Sequence, residues 1–165
     1  MPYFAFNFMV KKQLKYEIEE YLQFIAIASP LKDYRAAFFV NEKLCIDLKL
    51  DEELSIDYKA KSEVHSFSRF FYEDDLSGLS YHLVQNKCEK GVLIKTLKQF
   101  DFILIIKRYE EETIDISSLT SKLKSINDFQ IALAVENIKK SEYNLVLKNL
   151  AFSEERENGK PKTNQ

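Results

Sequence analysis

FDFILIIK, residues Phe100–Lys107, is the stretch on which the fold turns. Its apolar run is broken only by Asp101 and ends at Lys107. It is far too short for a membrane span, which needs about 20 apolar residues. An unalternating run of this length, rich in isoleucine, suits a central strand covered on both faces, because neither side of the pleat meets water. Asp101 is then an anomaly: a carboxylate in such a strand must be paired or lie at its exposed start, since burying it alone is costly.

Downstream, Ile116, Leu119, Leu123 and Ile126 recur at helical spacing within Thr113–Ile126, and Phe129–Val135 is again strand-like. Strand, helix and strand in close succession predict a right-handed β-α-β crossover. Asn144–Phe152 reads as a short terminal helix, and the polar Ser153–Gln165 as a disordered tail.

Upstream, His65–Tyr72 and Leu79–Gln85 read as two strands of a hairpin joined by Glu73–Gly78. Ile46–Tyr58 reads as extended, an edge strand, because short apolar alternations flank Asp51-Glu52-Glu53. Ser29-Pro30 carries the chemistry of a helix start: a hydroxyl that accepts from free N–H groups, then a ring that fits the first turn. Leu31, Tyr34, Ala37, Phe38 and Leu44/Cys45 then form an apolar stripe, with Asn41 on it and hydrogen-bonded. Leu14–Ile18 and Leu22–Ala28 suit strands, or one continuous strand. The sum is one α+β domain over residues 9–152, with a mixed, mostly antiparallel sheet of five or six strands covered by two or three helices.

The bulk numbers agree. The 165 residues suit one domain, 45% are hydrophobic, and 13 Phe and 9 Tyr supply core material. The net charge of −2 lacks the basic footprint of a duplex-binding protein. Cys45 and Cys88, with no metal-type spacing, read as reduced thiols of a cytoplasmic protein. The opening MPYFAFNFMV resembles a signal core but has no basic residues before it and no small-residue cleavage site after it. The plainer reading starts translation at Met9 and makes residues 1–8 an upstream extension.

No catalytic set is legible. Before the tail only Gly78 and Gly91 occur, so neither a G-x-G-x-x-G loop nor a P-loop can be built. His65 and His82, the only histidines, read as surface residues of the hairpin, and no metal or cofactor is expected. No G-x-S-x-G is present, and neither cysteine lies in a readable pairing with a histidine. The runs Asp51–Glu53, Glu73–Asp75 and Glu110–Glu112 read as solvated turns. The aromatic run Phe67–Tyr72 suits cross-strand packing better than a base-stacking platform, since Arg69 is its one permanent cation.

IAIASPLKDYRAAFFVNEKL (Ile25–Leu44), FSRFFYEDD (Phe67–Asp75), YHLVQNK (Tyr81–Lys87) and LIKTLKQFDFILIIK (Leu93–Lys107) resemble the IPExxxVDY family, small proteins of Bacteroidota. Of the naming pattern, Ile94 and Asp101 are kept. Lys95 and Thr96 stand for its Pro and Glu, and Phe100 and Phe102 for its Val and Tyr. The resemblance implies a bacterial cytoplasmic protein and supplies no chemistry.

What remains is a candidate interaction or structural network: Lys32, Asp33, Tyr34, Arg35, Phe39 and Asp101. Asp101 is expected to accept from Arg35 or Lys32, tying helix to central strand. Phe39 falls opposite the apolar stripe and is either covered by the Ile46–Lys61 connection or an anchor for a partner. The leading expectation is a non-catalytic interaction or accessory module, with a protein partner or a homo-oligomer. One alternative is a small-molecule-binding protein or minor enzyme with a pocket where Tyr34, Arg35 and Asp101 converge. The other is an RNA-associated protein.

Overall fold

The computed structural model describes residues 20–109 and 114–158. The start at Met9, the strand at Leu14–Ile18, the acidic run Glu110–Glu112 and residues 159–165 lie outside them. In chain order the elements are β1 (Glu20–Ala28), α1 (Asp33–Leu44), β2 (Lys49–Leu50), β3 (Leu54–Tyr58), β4 (Glu63–Phe67), β5 (Arg69–Asp74), β6 (Leu79–Gln85), β7 (Lys87–Cys88), β8 (Gly91–Val92), β9 (Phe102–Tyr109), α2 (Ile116–Lys124), β10 (Ile131–Val135) and α3 (Lys140–Asn158). The fold is α+β.

Six strands form one sheet in the order β10-β1-β9-β6-β5-β2. Every neighbouring pair is antiparallel, where a mixed sheet was expected. β9 and β10 both run against β1, so they are parallel to each other with β1 between them, and α2 connects them. The crossover is therefore split rather than between neighbours.

β9 lies inside the sheet, as its apolar run requires. Ile103 and Ile105 enter one core, and Phe102, Leu104 and Ile106 enter the other. On the first face lie Leu54, Ile56 and Phe67 of the β3–β4 ribbon, Leu93–Phe100, and Val146 and Leu150 of α3. On the second lie Ala36, Ala37 and Val40 of α1, Leu123 of α2, and Ile126 and Phe129.

Several local readings are corrected. The strand expected over His65–Tyr72 is broken at Ser68: β4 pairs with β3 in a separate ribbon, while β5 pairs with β6 and β2. Ile46–Tyr58 divides likewise, β2 at the sheet's edge and β3 in the ribbon. α1 starts at Asp33, because Ser29 uses its hydroxyl to donate to the Asp128 carbonyl and to accept from the Leu31 N–H. The buried stripe of α1 is Ala36, Ala37 and Val40, leaving Tyr34 and Phe38 exposed. Asn41 is hydrogen-bonded as expected, its amide donating to the Leu48 carbonyl and accepting from the Leu48 N–H. The last helix is longer than Asn144–Phe152 and takes in the first six residues of the segment read as a tail, 153–158.

Candidate functional site

Asp101 does not meet α1. One carboxylate oxygen accepts from Lys87 Nζ at 2.9 Å and the other from the Ser29 N–H at 2.9 Å. Its backbone pins β1 to the end of β6: its N–H donates to Ile27 and its carbonyl accepts from Asn86. A charged residue at the start of an apolar strand is thereby satisfied at a half-exposed site, which removes the cost of burying it alone. The expected Lys32 or Arg35 partner is replaced by Lys87, from the β7 strand that follows the hairpin.

Asn86, fully buried, organises the stretch Ile94–Phe100 that leads into β9. Its amide donates to the carbonyls of Leu97 (2.8 Å) and Phe100 (3.1 Å) and accepts from the Ile94 N–H (3.0 Å). Thr96 donates through its N–H and hydroxyl to Glu142 of α3. Sequence reasoning missed Asn86, because one amide among polar neighbours carries no periodic signal.

Asp33, the first residue of α1, accepts from the Ser68 hydroxyl at 2.5 Å and so holds the helix to the break between β4 and β5. Ser68 lines a cleft of about 610 Å³ with Lys87, Lys90, Glu53 and Glu89. Its charges are spoken for in part: Lys87 by Asp101, and Lys90 by the Val64 carbonyl at 3.0 Å. None of Tyr34, Arg35 and Asp101 lines it.

Both histidines are buried, contrary to the surface reading. His65 donates to Glu63 at 3.1 Å and packs against Tyr58 with the rings tilted, and this hydrogen bond holds the Glu63 carboxyl below the usual range. Gly91 packs against it, where a Cβ would stand 3.3 Å from the ring. His82 sits between Arg69 Nη1 (3.4 Å from Nδ1) and Ser80 Oγ (3.3 Å from Nε2). Arg69 in turn pairs with Asp51 at 2.7 Å. Burial, then the charges of Arg69 and Lys107, push the His82 pKa well below its ordinary 6.5, so the ring is neutral. A guanidinium only donates, so Nδ1 accepts and Nε2 carries the proton towards Ser80. That tautomer cannot take the Ser80 proton, and a serine 2% exposed is closed to substrate. The Ser-His pair is structural.

Phe67, Arg69 and Phe70 of the aromatic run are likewise buried and form no stacking platform. Among the described residues no group of three His, Cys, Asp or Glu is placed to hold a metal ion, and Cys45 and Cys88 are free. No described helix is long and apolar enough to cross a membrane.

The outer face of α1 is different. Tyr34 and Phe38, one turn apart, are 58% and 56% exposed. Lys32 and Arg35 stand exposed beside them. Phe38 meets the edge of Phe39 at 5.5 Å, and the Arg35 guanidinium lies over the Phe39 ring at 5.9 Å. Phe39 is half-buried and lines a second cleft, of about 510 Å³, with Glu42, Lys43 and residues 125–128. Its neighbours across that cleft belong to the turn after α2, where the connection after α1 was expected to cover it. No family model, curated protein or solved structure matches the chain.

Proposed function

We propose that the protein is a non-catalytic interaction module that docks a protein partner on the outer face of α1, within the cytoplasm. The observation that carries this is the Tyr34–Phe38 pair: two large aromatic side chains held in water by a helix whose other face is buried. Tyrosine, arginine and other large side chains are what binding hot spots are made of, and solvation of two adjacent rings is unfavourable until something covers them. Lys32 and Arg35 rim the pair, so the fitting partner presents an apolar anchor flanked by acidic residues. The family reading rests on the quoted sequence stretches and adds no chemistry to this site.

The test is capture of partners by the tagged chain from its host, with and without nuclease, beside Tyr34→Ala/Phe38→Ala and Arg35→Glu variants. A partner retained through nuclease, lost with the aromatic pair, and regained by Arg35→Glu when one of its own acidic residues is reversed, supports the module. Capture that is indifferent to all three substitutions refutes the site. Loss on nuclease treatment favours RNA association instead.

A further inference from the structure

The two edges of the main sheet are built differently. β2 is two residues long, and its Lys49 pairs with Asp47 at 3.1 Å: a short, charged edge of the kind that discourages further pairing. β10 is five residues, IALAV, with no charge, no proline and no glycine. Among the described residues it pairs on one side only, with β1. Ile131 and Leu133 project from it to the face of Ala28 and Ala26, and remain 52% and 48% exposed. An uncharged apolar edge with open backbone groups is a template for another strand.

We infer that β10 is the interface of a dimer, pairing antiparallel with β10 of a second copy about a two-fold axis at Leu133. The strand is self-complementary in that register. Leu133 meets its own copy, Ile131 meets Val135, and on the opposite face Ala132 meets Ala134, where small side chains let the strands approach. The flanks complement one another as well. Gln130 falls opposite Glu136 as donor to acceptor. The end bearing Asn127-Asp128 runs towards the partner's Lys139-Lys140, all of them exposed. A second copy therefore satisfies hydrogen bonds, apolar cover and charge together, closing as an isologous pair rather than a fibre. This surface is separate from the α1 face, and neither reading depends on the other.

Sedimentation equilibrium of the full chain, from micromolar concentration upwards, is expected to show a reversible approach to twice the 19.4 kDa chain mass. Leu133→Lys sets two like charges against each other at an exposed position, and is expected to weaken the dimer roughly tenfold or more. With Cys45 and Cys88 replaced by Ser, Leu133→Cys should oxidise to a cross-linked dimer, because paired strands bring Cα atoms within disulfide range. Ile131→Cys should cross-link with Val135→Cys and not with itself. A chain that stays monomeric at every concentration overturns the proposal. So does a dimer indifferent to Leu133→Lys, cross-linking in another register, or a monomer that takes up a foreign extended peptide along β10. Tyr34→Ala/Phe38→Ala leaves the dimer unchanged, which separates this outcome from that of the α1 face.

Discussion

At the scale of single residues, two buried side chains do more for the structure than any candidate for chemistry. Asn86 makes three hydrogen bonds, to backbone groups of Ile94, Leu97 and Phe100, and shapes the loop that delivers the chain into β9. Asn86→Ala strands those groups without water, and at about 1 kcal/mol or more for each, stability should fall by about 2–4 kcal/mol in urea or guanidinium titration. A loss under 1 kcal/mol would mean that the loop holds without the amide. His82 makes the second prediction. Its folded pKa lies well below 6.5, so the unfolded chain binds a proton that the native chain refuses. The stability due to the neutral ring is complete above pH 6.5. It is lost as pH falls through that value towards the folded pKa, at about 1.4 kcal/mol per pH unit. His82→Gln, which does not titrate, should flatten the pH dependence of unfolding from pH 6.5 down to where carboxylates begin to titrate, whatever it costs at neutral pH. A slope unchanged in that variant would place the titration elsewhere.

At the scale of elements, legibility follows how strongly burial dictates side-chain type. β9 and the β5–β6 hairpin were readable because strands inside a sheet require unbroken or alternating apolar side chains, and those patterns are hard to produce otherwise. α1 was legible as a helix and misread by one residue in phase. Tyr34 and Phe38 outweigh Ala36 and Ala37 in any apolar pattern, yet the alanines are what a helix lying close against a sheet can bury. Of the expected stripe Ala37 is core and Leu31 and Leu44 pack against it, while the two large rings, Tyr34 and Phe38, face outward and form the candidate site. The exposure of the two rings also sets the stability outcome of their removal. Tyr34→Ala and Phe38→Ala should each change unfolding free energy by no more than about 0.5 kcal/mol, as at other surface positions, while abolishing partner capture. A cost of several kcal/mol would mark the pair as core after all. The break at Ser68 was not legible. His65–Tyr72 reads as one continuous strand, and only the pairing of β4 with β3 and of β5 with β6 decides where the chain changes sheets.

At the scale of the whole molecule, the sheet separates two apolar cores and belongs to both. Ile103 and Ile105 on one side and Phe102, Leu104 and Ile106 on the other sit on the same strand, so neither core can open without freeing residues that hold the other. The split crossover reinforces this: β1 lies between β9 and β10, and all three must be in place before α2 has a surface to cover. Unfolding should therefore be a single transition, although α2 and α3 lie on opposite faces. Leu123→Ala on α2 and Leu150→Ala on α3 each remove a fully buried side chain, and each should cost about 2–5 kcal/mol. In both variants helix loss by far-ultraviolet circular dichroism and core exposure by tyrosine fluorescence should share one midpoint, as a two-state domain requires. If Leu150→Ala released α3 and the β3–β4 ribbon in a separate early transition, with the second core intact, the shared strand would not couple the faces. The ribbon would then be an independent layer docked on an autonomous six-stranded sheet.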